Sequence, residues 1–356
     1  MMLALRRETP DRVPATVHQW QDSHLRTYLD GIDALAAFRR FGLDAAITYV
    51  PLLETDSPDW RQHVNTTDLG NGRSIRHVTT TTPGGVLTHT VESDPITAWT
   101  REHMVKTPED VNLIDRYMPV PRLDTKAVAR EYDRLGDNGV LRGLVIGNQG
   151  GCWQDACELF GLQNLILTAC DNTEWVHSFL RVLQKKKLLY ISESLPGTKY
   201  DLIETGGGAA SSTCISPEFH RAFCLPYDRE QHDALHEIGL PVVYHTCGGM
   251  MPILDLIIEN GCDASETLTP PGMGGDARHA EIKRRIGAKV CLVGGLNQHQ
   301  VLDCGSRDDI RKEVFRLFEE LGPGGGYIMS PSDHFFHTPP RNLQHYAEAA
   351  RECRYG

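Results

Sequence analysis

The second half of the chain constrains the fold most, because strand-like and helix-like segments alternate there in a strict order. Five short apolar runs, each typical of a buried strand, are separated by segments with helix start and stop signals. Parallel strands need a crossover connection, so this alternation predicts a parallel sheet covered by helices. The predicted strands are residues 201–204, 241–245, 263–267, 289–294 and 326–330, and the predicted helices are residues 216–237, 251–259, 276–286, 307–321 and 340–353.

Earlier strand-like segments, near residues 14–17, 45–50 and 140–147, bring the expected total to about eight. Eight strand–helix units favour a (β/α)8 TIM-type barrel, which is an α/β fold, over an open sheet. The loop Gly206-Gly207-Gly208 has neither the spacing of a dinucleotide-binding motif nor the lysine of a phosphate-binding loop. A nucleotide-binding fold is therefore not indicated.

Residues 55–95 follow a different pattern, in which polar and apolar side chains alternate around two turn signals. These signals are Asn71-Gly72 and Pro83-Gly84-Gly85, and both favour tight connections between antiparallel strands. We therefore expect a single barrel domain over residues 1–356, with a small antiparallel β-meander inserted at about residues 55–95.

Composition narrows the class of protein. The chain of 356 residues carries a net charge of −11 and has no basic cluster of the kind that binds nucleic acid. No apolar run reaches the length of about 18 residues that a membrane-spanning helix needs. The N-terminus lacks the apolar core of a signal peptide, and the ten cysteines follow no disulfide framework. These features predict a cytoplasmic enzyme or binding protein with reduced cysteines.

The chemistry most clearly indicated is metal binding at the end of the predicted strand 241–245. His245 and Cys247 are two residues apart and are followed by two glycines. Side chains two apart on an extended chain point the same way, and an imidazole beside a thiolate suits Zn²⁺. The alternative is a packed histidine beside an inert buried cysteine.

Other polar residues follow the predicted strands, and the active site of a barrel lies at these strand ends. Glu204 and Glu266 could act as metal ligands, as partners that orient the ligands or as a general base, or they could be structural carboxylates paired with arginine. The candidates for a third metal ligand are Asp333, His334 and His337, and the candidates for substrate contact are Trp20, Asn297 and Phe335.

The chain resembles the uroporphyrinogen decarboxylase superfamily, and within it the zinc-dependent, corrinoid-linked methyltransferases. The fragments that carry the resemblance are Asp11-Arg12-Val13-Pro14, residues 161–166, 216–218, 225–227, 245–248, 294–296 and 325–328, Thr338-Pro339 and Asn342. The resemblance implies a TIM-like barrel. It also implies a zinc site that uses the His245-x-Cys247 pair.

Two departures refine that expectation. The decarboxylases have an arginine-rich substrate loop where this chain has residues 18–24 without arginine, so porphyrinogen decarboxylation is not expected. The methyltransferases have a late cysteine ligand, and this chain has Asp333 and His334 in that neighbourhood. Oxygen or nitrogen in place of sulfur makes zinc a harder Lewis acid, which favours an ether or hydroxyl oxygen.

We therefore expect a zinc-dependent methyltransferase that moves a methyl group between a methoxy or thiol substrate and the cobalt of a separate corrinoid protein. The family's corrinoid motif Asp-x-His-x-x-Gly does not occur in this chain, so the corrinoid would belong to a partner protein. Two alternatives remain. One is a metal-assisted lyase or hydrolase with Glu204 or Glu266 as base, and the other is a binding protein with a structural metal. A homodimer is possible in each case.

Overall fold

The computed structural model describes residues 1–55 and 57–356, and a curled parallel sheet of seven strands lies at its centre. The strands are β1 (Ala45–Thr48), β6 (Gly139–Leu144), β7 (Leu202–Gly206), β8 (Val242–His245), β9 (Ala264–Thr267), β10 (Cys291–Leu296) and β11 (Tyr327–Pro331). Each strand pairs with the next one in chain order, and every pairing is parallel. The parallel α/β architecture predicted from the alternation is confirmed.

The chain between β1 and β6 first forms a separate antiparallel sheet of four strands. Its strands are β2 (Arg61–Gly70), β3 (Arg73–Thr82), β4 (Gly85–Ser93) and β5 (Ala98–Glu102), in that spatial order. Asn71 and Gly72 both have positive φ, at 53° and 74°, as a tight turn between antiparallel strands requires. The predicted meander is present and runs beyond residue 95 to Glu102. Its status as an insertion in one domain stays a prediction.

Helices cover the parallel sheet and precede its first strand. They are α1 (Met2–Leu5), α2 (Asp22–Tyr28), α3 (Ala34–Phe41), α4 (Pro108–Tyr117), α5 (Thr125–Leu135), α6 (Cys152–Phe160), α7 (Leu162–Asp171), α8 (Thr173–Ser194), α9 (Pro217–Phe223), α10 (Leu225–Glu237), α11 (Leu254–Glu259), α12 (His279–Ile286), α13 (Arg307–Leu321) and α14 (Pro340–Glu352). The single helix expected over residues 216–237 is two helices. Pro226 lies in the first turn of α10, where the missing N–H of proline interrupts the helical hydrogen bonds.

The segment predicted as the first strand, residues 14–17, makes single backbone contacts rather than a strand ladder. Thr16 N–H donates to the Met329 carbonyl at 2.9 Å, and Met329 N–H donates to the Pro14 carbonyl at 2.8 Å. On the other side, Asp44 N–H donates to the Ala15 carbonyl at 2.8 Å. The segment thus touches β11 and the residue before β1, and the parallel sheet has seven strands instead of the eight expected.

The interior of the curled sheet begins with an apolar layer. Val140, Leu202, Val243 and Ala264 contribute to it from four adjacent strands, and Leu5 of α1 packs against the same cluster. Apolar residues between the sheet and its helices form a larger core cluster. Among the described residues, no helix is long and apolar enough to cross a membrane.

Candidate active site

Four polar residues form the layer above this apolar cluster. Arg142, Glu204, His245 and Glu266 each follow an apolar member of the cluster by two positions, on β6, β7, β8 and β9 respectively. Side chains two apart on a strand share a face, so the four polar groups also point into the curled sheet. The parallel pairing of β8 with β9 places His245 directly opposite Glu266.

Arg142 joins the two glutamates. Its Nη2 atom donates to Glu204 Oε2 at 2.9 Å and to Glu266 Oε1 at 2.8 Å, and all three side chains are buried. Two carboxylates close together in a buried site need such a cation, because an unpaired charge there is costly. Of the roles considered for Glu204 and Glu266, the structure shows pairing with an arginine for both.

The two carboxyl groups differ in acidity. Burial, together with the charge of Glu266, raises the pKa of Glu204 against the opposing effect of Arg142. Burial also acts to raise the pKa of Glu266, but Arg142, His18 and His245 outweigh it and hold that pKa well below its usual value. Of the two carboxyl groups, Glu266 is thus the stronger acid and Glu204 the weaker.

One ring nitrogen of His245 is bonded to Glu266, and the other makes no hydrogen bond among the described residues, although Cys247 lies close to the ring. Its Nδ1 lies 3.0 Å from Oε1 of Glu266, while its Nε2 is buried without a hydrogen-bond partner among the described residues. Burial acts to lower the pKa of His245, but contacts with Cys247, Glu266 and Glu204 raise it well above its usual value. A histidine oriented by a carboxylate through one nitrogen presents the other to a metal, as metal-binding histidines commonly do.

The glycine loop after β7 makes room for Cys247. A Cβ atom added to Gly208 would lie 2.5 Å from Cys247 Sγ, which is closer than two such atoms can approach. The sulfur therefore rests against the backbone of residue 208. This contact gives the loop Gly206–Gly208 a structural role beside the site.

His18 is a site residue that the sequence reasoning did not select. It follows the extended segment 14–17, so its place after a predicted strand was the signal that could have found it. Among the described residues, two groups of three side chains have potential metal-ligand atoms within 4.8 Å of one another, and His18 belongs to both. The groups are His18, His245 and Glu266, and His18, Asp333 and His334.

Cys247 belongs to neither three-residue group, although its thiol contributes to the raised pKa of His245. Asp333 and His334 lie at the rim of the site, where Asp333 Oδ1 accepts the His334 backbone N–H at 2.7 Å. Gln21 Nε2 donates to His334 Nδ1 at 2.8 Å. Burial lowers the pKa of His334, the reverse of the shift at His245, whose extra proton a metal would have to displace. The ligand roles of Cys247, Asp333 and His334 stay predictions.

The three residues expected to contact substrate are all buried. Trp20 and Phe335 pack edge to face with ring centres 5.4 Å apart. Asn297 caps the turn that follows β10, because its Oδ1 accepts the Gln300 N–H at 2.8 Å. Trp20 also borders a cavity of about 440 Å³, which Gln19 and Thr48 line as well. Packing and capping thus account for much of what these side chains do, and contact with substrate stays a prediction.

Comparisons with known proteins agree with this architecture. Residues 90–353 match the family described as uroporphyrinogen decarboxylase (URO-D). The methylcobamide:CoM methyltransferase MtbA of Methanosarcina mazei is 26% identical over 266 residues, which cover 71% of each chain. A uroporphyrinogen decarboxylase of Alkalilimnicola ehrlichii is 26% identical over 93% of this chain and 87% of its own.

One solved structure extends the agreement to the fold. A methyltransferase from Methanosarcina mazei superposes with a TM-score of 0.64 at 17% identity, covering 99% of this chain and 97% of the other. The match to the family covers most of the chain, and the resemblance to its corrinoid-linked methyltransferase branch is supported by the named relatives. The chain belongs to the uroporphyrinogen decarboxylase family.

Proposed function

We propose that this protein is a zinc-dependent methyltransferase that moves a methyl group between a methoxy or thiol substrate and the cobalt of a separate corrinoid protein. The observation that supports it most is His245, which has Nδ1 on Glu266 and Nε2 buried without a partner. This arrangement fits a metal ligand. The similarity to a methylcobamide:CoM methyltransferase over 71% of each chain supports the reaction class.

In this proposal His245 and Cys247 hold the metal, and Asp333 or His334 supplies the third ligand. A bound zinc ion would polarise the heteroatom of the substrate as a Lewis acid. Glu266 orients the His245 ring, while Arg142 neutralises the carboxylate charge that is buried beneath the site.

Glu204 is the proposed proton carrier, because its raised pKa lets it hold a proton in the buried site. With a methoxy substrate, Glu204 would protonate the oxygen that keeps the bonding electron pair when the methyl group departs as a cation equivalent to the partner's corrinoid. With a thiol substrate, Glu204 in its ionised form would take the thiol proton, so that the thiolate sulfur could accept the methyl cation equivalent.

The substrate contact proposed for Trp20 would extend from the site toward the cavity that this residue borders, which none of the proposed metal ligands line. The cavity is lined by Gln19, which follows His18, and by Thr48, which pairs with Arg142 across β1 and β6. In this proposal the edge-to-face contact with Phe335 would keep the Trp20 ring in position. Asn297 would stabilise the turn after β10 by accepting the Gln300 N–H. We also propose that segment 14–17 acts as the eighth strand of a single barrel domain, since it contacts both β11 and the residue before β1.

The first test is the zinc content of the purified protein, followed by methyl transfer to free cob(I)alamin monitored by its absorbance. We expect about one zinc per chain in the parent protein and a loss of zinc in His245→Ala and Cys247→Ala, with the helical circular dichroism retained. Asp333→Ala and His334→Ala, made separately, identify the third ligand. A protein that binds no zinc, or two variants that keep full zinc content, would refute this proposal.

A decarboxylase-like lyase is the second candidate, because the relative from Alkalilimnicola ehrlichii covers 93% of this chain. However, Nη2 of Arg142 is already bonded to two carboxylates, and residues 18–24 contain no arginine to bind substrate carboxylates. A hydrolase on the same site is the remaining form of this alternative. Release of CO2, or turnover without any corrinoid, would favour these reactions over methyl transfer.

A further inference from the structure

The ring of His18 lies close to two proposed metal ligands, His245 and His334. Its ring centre lies 5.4 Å from that of His245 and 4.9 Å from that of His334. It is also the one residue shared by the two groups of potential ligands found among residues 1–55 and 57–356. The side chain is 8% exposed, so it faces the interior of the site and not bulk water.

The spacing between the rings suits a shared metal. Two imidazoles bound to one tetrahedral zinc at about 2.1 Å place their ring centres roughly 5 Å apart. Both separations measured for His18 are close to that value. In contrast, two buried histidines that only pack together have no reason to keep ligand atoms within 4.8 Å of a carboxylate as well.

Glu266 is bonded to one of these rings and lies close to the other. Its Oε1 bonds Nδ1 of His245 at 3.0 Å, and its Oε2 lies 3.9 Å from Nδ1 of His18. That Oε2 atom is buried and has no hydrogen-bond partner among the described residues, and the same holds for Nε2 of His245. One carboxylate thus faces the Nδ1 side of two imidazoles, which leaves the Nε2 side of each ring for a ligand.

We propose that His18 is a metal ligand that shares one bound ion with His245. This inference rests on the proposed function, because it concerns the same metal site. It adds an imidazole nitrogen, a donor that suits zinc, to the ligands around the ion.

The test measures Zn²⁺ affinity of the full chain by competition with a chromophoric chelator. We expect His18→Ala to weaken zinc binding by more than about 100-fold, since even residues that only orient a ligand cost 10- to 100-fold. His63→Ala is the matched control, because His63 is exposed on β2, and it should bind zinc as the parent does. Unchanged affinity in a folded His18→Ala protein would overturn the inference.

A second variant keeps the inference testable if removal of the buried ring impairs folding. His18→Cys, loaded with Co²⁺ in a Cys247→Ser background, should gain a thiolate-to-cobalt charge-transfer band if position 18 ligates the ion. The absence of that band in a cobalt-loaded protein would refute the inference. If His245→Ala loses zinc while His18→Ala does not, the proposed function stands and this inference fails. If the parent binds no zinc, both fail.

Discussion

Glu266 Oε1 lies 3.0 Å from Nδ1 of His245, and both side chains are 1% exposed. This contact fixes the ring so that Nε2 faces away from the carboxylate. The first prediction concerns Glu266→Gln, which keeps the size of the side chain but removes its charge. We expect zinc affinity to fall by about 10- to 100-fold, because a neutral amide orients the ring less strongly.

Chelator competition measures that affinity. Glu281→Gln serves as a control because Glu281 pairs with Arg278 and belongs to neither group of potential metal ligands. Equal zinc affinity in Glu266→Gln and the parent protein would contradict the role assigned to this carboxylate.

The second prediction concerns Arg142→Met. Removing the guanidinium leaves Glu204 and Glu266 buried without their shared cation, which typically costs about 3–5 kcal/mol of unfolding free energy. The loss should be largest near neutral pH and smaller in acid, because protonation neutralises the two carboxyl groups. Urea unfolding at several pH values measures it.

Arg311→Met is the matched control for that experiment, because Arg311 pairs with Glu352 at the surface and both are about half exposed. Exposed ion pairs contribute little, so this variant should unfold much as the parent does. A similar, small effect of both substitutions would show that Arg142 is not needed to compensate the buried charge.

The third prediction is a pH dependence of stability that arises at Asp228. Burial raises the pKa of this carboxyl group to about 7, although Tyr244 donates a hydrogen bond to it at 2.7 Å. The folded chain therefore binds a proton that the unfolded chain loses above its usual pKa of about 4. Stability from this group is present in full below about pH 4 and is lost as the pH rises to about 7.

The size of that contribution is on the order of 4 kcal/mol, from about three pKa units at 1.36 kcal/mol each. Asp228→Asn keeps an acceptor for Tyr244 but cannot ionise, so its stability should decline less between pH 4 and pH 7. The measurement is the difference in unfolding free energy between the two proteins across that range. A constant difference would place the pKa of Asp228 near its usual value.

The fourth prediction concerns Gly208→Ala. The added methyl group would meet Cys247 Sγ at 2.5 Å, so the sulfur must move. If Cys247 ligates the metal, we expect weaker zinc binding with little change in the fold. Gly84→Ala is a suitable control, because the atoms nearest to its added methyl group belong to Leu113 and Tyr117 of α4 and not to Cys247. Zinc binding that survives Gly208→Ala but not His245→Ala would separate the two proposed ligands.

Periodicity and end signals in the sequence were sufficient to predict the parallel sheet and most of its helices. The strand ending at His245 and the helix Arg307–Leu321 were predicted at their observed ends, because apolar runs and caps are local signals. The turn at Asn71-Gly72 was also predictable, since only certain residues readily adopt positive φ. Local chemistry alone indicated a metal site at His245 and Cys247.

Only the tertiary structure decided which distant groups meet that site. Arg142 bonds residues that lie 62 and 124 positions further along the chain, and nothing near residue 142 signals those partners. His18 meets His245 because segment 14–17 lies against β11, which brings the start of the chain to the end of the sheet. Sequence periodicity specifies the side of the sheet on which a side chain lies. The curvature of the sheet decides which distant side chains it meets there.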